Sequence, residues 1–88
     1  MIEKSLEVVN KNGLHTRPAA NVVKLTSKFK SDVYLSKDGM KVNGKSIIGV
    51  MTLAADYGSF IKIIVDGPDE VETMDKIEEL FKNGFGEL

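Results

Sequence analysis

The sequence predicts an α+β fold, an open-faced β-sandwich in which a four-stranded antiparallel sheet carries its helices on one face. Two observations predict this class. Segments that alternate apolar and polar residues are interspersed with segments whose apolar residues recur at helical spacing, in the order βαββαβα. The 88 residues, 42% of them hydrophobic, suffice for one small core, so residues 1–88 are expected to form a single domain.

The N-terminal third of the chain predicts one strand and one helix. Residues 2–9 alternate between apolar and polar side chains, as a half-buried strand requires. Residues 10–13 break that alternation. Apolar positions then recur at helical spacing over residues 16–29. Pro18 fits the first turn of this helix, because the N–H that proline lacks would have no intrahelical acceptor there.

The middle of the chain predicts a hairpin followed by a short helix. Residues 32–37 and 40–43 have the composition of strands, and Asp38-Gly39 between them is typical of a two-residue hairpin turn. Residues 46–53 predict a helix, with Ser46 as its N-cap. This short helix contains more apolar residues than one buried stripe can hold, so some of them are expected to stay exposed.

The last third predicts a strand and a longer helix. Residues 59–66 are rich in β-branched side chains, and Gly67 ends that strand. Asp69 and Glu72 have the spacing of a capping box at the start of the final helix, and Gly84 is expected to stop it. The buried face of this helix is predicted from the spacing of Val71, Met74, Ile77, Leu80 and Phe81.

Composition excludes several classes of protein. The chain has no cysteine and one histidine, so neither a disulfide scaffold nor a zinc cluster is expected, and we expect no metal and no cofactor. No segment approaches the ~20 apolar residues of a membrane-spanning helix, and the N-terminus lacks the apolar core of a secretory signal. We therefore expect a cytoplasmic protein without membrane insertion.

Charge is distributed unevenly along the chain. The net charge of -1 argues against a nucleic-acid partner. Residues 1–45, however, contain nine Lys or Arg against four Asp or Glu, whereas residues 46–88 contain three against nine. Lys24 and the other N-terminal lysines are either the solvated face of a helix or a surface that steers an acidic partner, and both interpretations stay open.

His15 is the candidate functional residue. A glycine turn at Gly13 brings it to the start of a predicted helix, where unpaired backbone N–H groups and the helix dipole favour anions. Arg17 adds a cation with a forked set of donors. An imidazole with an ordinary pKa of about 6.5 is largely neutral and nucleophilic at neutral pH. The alternative is a surface histidine with no chemistry.

Two motifs resemble those of the HPr family, the small phosphocarriers of the phosphoenolpyruvate-dependent sugar phosphotransferase system. Residues 13–19, Gly-Leu-His-Thr-Arg-Pro-Ala, resemble the family's phosphorylation site, and residues 45–53, Lys-Ser-Ile-Ile-Gly-Val-Met-Thr-Leu, resemble its regulatory-serine helix. Thirty residues separate His15 from Ser46, as in the family. The resemblance extends over essentially the whole chain and includes the order of the elements.

The resemblance implies roles for individual residues. His15 resembles the histidine that enzyme I phosphorylates, in the family on Nδ1, and that then passes the phosphoryl group to enzyme IIA. Arg17 resembles the cation that supports the phosphoryl group during transfer. The protein is then a carrier rather than an enzyme, and a monomer is expected. Partner contacts are implied on exposed parts of two helices, at Thr16, Ala20, Lys24, Ile47, Ile48 and Met51.

Ser46 has two interpretations. A serine before an apolar helix is ordinarily an N-cap. In some bacteria, HPr kinase/phosphorylase modifies the matching serine, which then engages a transcriptional regulator, and Gly49-Val50-Met51 resembles the sequence of those members. Two other classes remain as alternatives, a binding module that carries no phosphate and a small phosphohydrolase. The second requires an acid or base beside His15, and no such residue is expected there.

Overall fold

The computed structural model describes residues 1–87 and has the predicted order of elements. The helices and strands are β1 (Ile2–Glu7), α1 (Thr16–Thr26), β2 (Asp32–Lys37), β3 (Met40–Asn43), α2 (Ile47–Thr52), β4 (Phe60–Asp66) and α3 (Glu70–Lys82). A single turn of 3₁₀ helix, Gly84–Gly86, follows α3. The sequence patterns did not predict this last element.

The four strands form one antiparallel sheet in the order β1-β4-β2-β3. The two central strands, β4 and β2, bury alternate residues on one face, and their registers place Val33 opposite Val65 and Leu35 opposite Ile63. The turn between β2 and β3 has positive φ at Asp38 (50°) and Gly39 (82°), as a type I′ hairpin requires. The predicted hairpin and the open-faced architecture are therefore confirmed.

The hydrophobic core lies between the sheet and the helices. α1 and α3 cover the sheet face that carries the buried strand residues, and they contribute Ala19, Val22, Met74, Ile77 and Phe81 to one continuous apolar cluster. α2 adds Val50, which has no exposed surface. Within residues 1–87, no helix is long and apolar enough to cross a membrane. Because α1 and α2 pack on this core, their N-terminal ends, where the candidate site residues lie, have fixed positions.

Two elements end earlier than the patterns predicted. β1 ends at Glu7 instead of residue 9, because Val8 exchanges backbone hydrogen bonds with Gly58 and Ser59, at the turn before β4. α1 ends at Thr26 instead of residue 29. After it the N–H groups of Lys28 and Phe29 bond to carbonyls three residues back, which tightens the chain into a turn.

The start of α3 also differs from the prediction. Asp69 occupies the N-cap position, but its carboxylate accepts hydrogen bonds from the backbone N–H groups of Lys30 and Ser31 rather than from the backbone N–H groups of its own helix. Glu70, not Glu72, reaches back to the N–H of Gly67. Val71 is 63% exposed, because at about 100° per residue it lies roughly a quarter turn from the buried face of α3.

Candidate functional site

The loop between β1 and α1 places His15 at the N-cap of α1. Gly13 has a φ of +69° and lies directly against the backbone of Ala55. The next residue, Leu14, is buried and donates its N–H to the Ala55 carbonyl at 2.9 Å. His15 follows with an extended backbone and an exposed side chain. The loop is thus held by the core on one side and presents the imidazole to solvent on the other.

The first turn of α1 has unused hydrogen-bond donors. The His15 carbonyl accepts the N–H of Ala19 at 3.0 Å, which begins the helix. Within residues 1–87, the N–H groups of Thr16 and Arg17 have no hydrogen-bond partner, and no acidic residue occupies this turn. These donors and the positive end of the helix dipole face the same end of the helix as His15, an arrangement that binds anions.

The structure places an acidic side chain within hydrogen-bond distance of His15. The prediction that no acid or base lies beside His15 is therefore wrong. The Glu87 carboxylate lies 3.0 Å (Oε2) and 3.2 Å (Oε1) from His15 Nε2. The buried Asn10 holds it in place, because Asn10 Nδ2 donates to Glu87 Oε1 and to the Gly13 carbonyl, each at 2.8 Å. One amide therefore connects the turn before His15 to the C-terminal segment.

These contacts lower the pKa of Glu87. The hydrogen bond from Asn10 is the largest cause, and the contact with His15 and the charge of Arg17 act in the same direction, against a desolvation effect that raises the pKa. Glu87 is accordingly ionised at neutral pH. Since an ionised carboxylate can only accept hydrogen bonds, Nε2 of His15 must be the donor. In the neutral ring, Nδ1 is then the nitrogen with the free lone pair.

Arg17 borders a cleft beside this pair. The cleft, with a volume of about 640 Å³, is lined by Lys11, Asn12, Arg17, Gly86 and Glu87. Arg17 is exposed, and within residues 1–87 it forms no ion pair. Two cations thus line a cleft that contains one carboxylate already bonded to Asn10 and His15. The cleft can receive an anion beside the imidazole.

α2 presents the second candidate residue, Ser46. Its hydroxyl accepts the N–H of Gly49 at 3.1 Å, so the predicted N-cap is confirmed. Beyond it, Ile47 is 41%, Ile48 80% and Met51 38% exposed, whereas Val50 and Leu53 are buried. The excess of apolar residues over one buried stripe is therefore left at the surface, as predicted.

The remaining predicted residues lie on α1, which packs against α2. Thr16 and Lys24 are exposed, and Ala20 is half-buried. Lys45 belongs to the basic half of the chain. Its ammonium group donates a hydrogen bond to the Phe29 carbonyl at 2.8 Å and so supports the turn after α1. Over residues 1–87, no cluster of three metal-ligating side chains is present.

Sequence patterns missed Asn10 and Glu87 because these residues are 77 positions apart. One local signal for the C-terminal segment existed. Phe85 stands between two glycines after the predicted end of α3, and so large an apolar side chain at that place indicates that the chain returns to the core. In the structure Phe85 is buried against Phe81, with ring centroids 4.7 Å apart.

Comparison with known proteins is consistent with this geometry. A family model described as "PTS HPr component phosphorylation site" matches residues 2–83. A phosphocarrier protein HPr of Treponema pallidum is 47% identical over 87 residues, which are 99% of each chain. A crystal structure of HPr from Thermoanaerobacter tengcongensis superposes with a TM-score of 0.95 at 43% identity and covers 100% of this chain and 99% of that one. A second structure from that organism, described as an HPr dimer, has a TM-score of 0.79 at 44% identity and covers 99% of this chain and 100% of that one.

Proposed function

This chain belongs to the HPr family of phosphocarriers, and from that premise we propose that His15 accepts a phosphoryl group from one protein and passes it to another. The proposed donor is phosphorylated enzyme I, and the proposed acceptors are enzyme IIA domains of a sugar phosphotransferase system. The protein performs this exchange in the cytoplasm as a monomer. It supplies the carrying group and leaves catalysis to its partners.

The observation that carries the proposal is the placement of His15 at the open N-terminus of α1. An imidazole attacks phosphorus without a separate base, because the neutral ring already has a free lone pair. The transferred group carries negative charge, and the N–H groups of Thr16 and Arg17 face the end of the helix where it would rest. The Arg17 guanidinium supplies a cation for the same oxygens.

The exposed cations near this site also suit the proposed partners. Arg17 and Lys24 project from α1, and no acidic residue occurs between Glu7 and Asp32. Such a surface attracts acidic partners and increases the rate of encounter. The exposed apolar residues of α2, which are Ile47, Ile48 and Met51, are proposed to complete the docking surface, together with Thr16 and Ala20 on α1.

Phosphorylation by enzyme I tests the central proposal. With phosphoenolpyruvate and enzyme I, the protein should gain one phosphoryl group per chain that is stable in alkali and lost in acid, and His15→Ala should abolish the gain. Arg17→Ala should slow it. Ser46→Ala is the matched control, and it should be labelled as the parent is. Stoichiometric labelling of the His15→Ala variant would contradict the proposal.

We propose that Ser46 is a second, regulatory phosphorylation site, modified by an HPr kinase/phosphorylase and read by a transcriptional regulator. Its hydroxyl caps α2 beside Ile47 and Ile48. A phosphate there adds about two negative charges at a helix N-terminus, which tolerates them, yet beside a surface that an acidic partner approaches. Phosphorylation of Ser46 would therefore reduce docking without unfolding the domain.

A further inference from the structure

We propose that Glu87, anchored by Asn10, is a positioning residue that keeps a proton on Nε2 of His15 through the whole cycle of phosphoryl acceptance and release. This inference rests on the proposed function of His15. It assigns to the C-terminal segment the task of holding the proton on Nε2, which neither His15 itself nor Arg17 performs.

The geometry supports a persistent contact rather than a passing one. Both oxygens of Glu87 lie within 3.2 Å of Nε2, and only 18% of the Glu87 side chain is exposed. Asn10 is 1% exposed, and its amide donates to Oε1 of this carboxylate at 2.8 Å. The Asn21 amide donates to the Phe85 carbonyl at 2.9 Å and further ties the segment to α1. The acid is therefore held against the ring by a buried amide and by a segment that is tied to α1.

The proton on Nε2 determines which nitrogen reacts. In acceptance, the Nδ1 lone pair attacks phosphorus, and the bond from phosphorus to the donor breaks with its electron pair returning to the donor. Nε2 keeps its proton, so the phosphorylated ring is a cation. The Glu87 carboxylate stabilises this cation from the side of the ring opposite to the phosphoryl group.

The same proton determines how well the ring leaves. In release, a nucleophile of the acceptor protein bonds to phosphorus while the bond between phosphorus and Nδ1 breaks, and the electron pair of that broken bond returns to Nδ1. If Nε2 holds its proton, the departing group is a neutral imidazole. Without that proton, the ring would have to leave as an anion, a much poorer leaving group. Glu87 thus keeps the phosphoryl group transferable at a pH where an unassisted phosphorylated ring would have lost the proton.

Several charged groups surround the ring and contribute to its pH dependence. Glu87 approaches from the C-terminal segment, Arg17 belongs to the first turn of α1, and Lys11 lies in the preceding loop. Asp56 belongs to the loop after α2, which packs against Gly13. Among the charged groups of residues 1–87, Glu87 alone forms a hydrogen bond with the ring, so its removal is expected to exceed the effect of the others. Because the pKa of Glu87 is lowered, its charge is present at neutral pH and is lost only in acid.

The test compares the parent protein with Glu87→Gln, which preserves shape and removes charge. Nitrogen-15 NMR of the unphosphorylated proteins should show the Nε2–H form of His15 in the parent and a mixture of both ring forms in Glu87→Gln. After phosphorylation by enzyme I, the pH profile for loss of the phosphoryl group should shift to lower pH by up to about one unit in Glu87→Gln. At alkaline pH, this shift corresponds to hydrolysis up to about tenfold slower than in the parent.

Two further variants separate positioning from general effects. Glu79→Gln removes the same charge from an exposed position on α3 and should behave as the parent does. Asn10→Ala releases the anchor of Glu87 and should shift the profile in the same direction as Glu87→Gln, by a smaller amount, in protein that a thermal melt shows to be folded. A shift of the Asn10→Ala profile in the same direction as that of Glu87→Gln would support the role of Asn10 as the anchor of Glu87.

The outcomes distinguish this inference from the proposed function. A parent protein that gains no phosphohistidine would overturn both. A parent that gains it, with a Glu87→Gln variant that has the same ring form and the same pH profile, would overturn the role of Glu87 and leave the carrier function intact. A profile in Glu87→Gln shifted to higher pH would show that the carboxylate opposes the protonated ring and would also overturn the inference.

Discussion

Among single residues, Gly13 has the largest part in setting the position of His15. Its φ of +69° is a left-handed conformation that costs other residues about 1–2 kcal/mol. A Cβ at this position would also stand 2.3 Å from the Ala55 carbonyl oxygen. The same carbonyl accepts the N–H of Leu14, so any displacement of this contact moves the residue that precedes His15. Gly13 is therefore required for two independent reasons.

Gly13→Ala should lower the free energy of unfolding by about 2–4 kcal/mol, because backbone strain and the close contact add. Gly58→Ala is the matched control, since Gly58 has a φ of +86° and open space around its Cβ position. It should lose only the strain of about 1–2 kcal/mol. Urea unfolding of the three proteins measures both values. Equal losses in the two variants would show that the contact with Ala55 is readily relieved.

At the scale of helices and strands, sequence patterns correctly predicted the features that depend only on residues close together in the chain. The alternation in β4 and the helical spacing in α1 are properties of short segments, and the structure confirms both elements. The Asp38-Gly39 turn was predictable for the same reason, because its conformation depends on two residues. The N-cap role of Ser46 belongs to this group as well.

Several of the errors concern residues whose partners are distant in the chain. Asp69 has the sequence pattern of a helix cap, yet its carboxylate accepts from Lys30 and Ser31, which lie just before β2 and are 39 and 38 residues away. Glu87 contacts His15 across 72 residues. The 3₁₀ turn of residues 84–86 depends on the burial of Phe85 against Phe81. No periodicity in the sequence carries information about such contacts.

The proposal for Ser46 makes a prediction about α2 as an element. Ser46→Asp should leave the melting temperature within a few degrees of the parent, because a carboxylate at the start of a helix is favourable by about 0.3–1 kcal/mol. Phosphotransfer from enzyme I should slow at low salt. Because added salt screens repulsion between exposed charges, the defect should shrink as ionic strength increases. Transfer rates across a salt series measure this effect.

Ser5→Asp is the control for that experiment. Ser5 is exposed on β1, and the strand alternation directs it away from the helices, so the variant adds the same charge on the opposite face of the sheet. Its transfer rate should match that of the parent at every salt concentration. If Ser46→Asp accepted the phosphoryl group as fast as Ser5→Asp at low salt, Ser46 would be a helix cap and not a switch.

At the scale of the whole molecule, the basic and acidic halves of the chain meet in the fold. The N-terminal ammonium group contacts Glu70 at 2.9 Å, and Lys4 contacts Glu78 at 2.9 Å. The hydrogen bond between Glu87 and His15 also joins the two halves. Carboxylates of the C-terminal half therefore bond to groups of the N-terminal half. The uneven charge along the sequence thus also contributes to the cohesion of the fold, besides any part in partner encounter.

Asp69 is the carboxylate on which acid stability should depend most. The Ser31 hydroxyl is the largest cause that holds its pKa well below the ordinary value of 3.8, followed by the backbone N–H of Lys30, while desolvation acts in the opposite direction. A carboxyl group with a lowered pKa in the folded state stabilises the protein at neutral pH. This contribution is lost as the pH falls below the ordinary value toward that of the folded state.

Asp69→Asn tests this contribution, because it removes the charge and keeps the shape. The variant should melt several degrees below the parent at neutral pH, since the amide oxygen is a weaker acceptor for the donors on Lys30 and Ser31. As the pH is lowered to about 3, the parent should lose stability more steeply, so the two melting temperatures should converge. Glu3→Gln, at an exposed position of β1, is the control and should follow the parent throughout. A constant difference between Asp69→Asn and the parent over this pH range would show that the bonds from Lys30 and Ser31 do not require the ionised carboxylate.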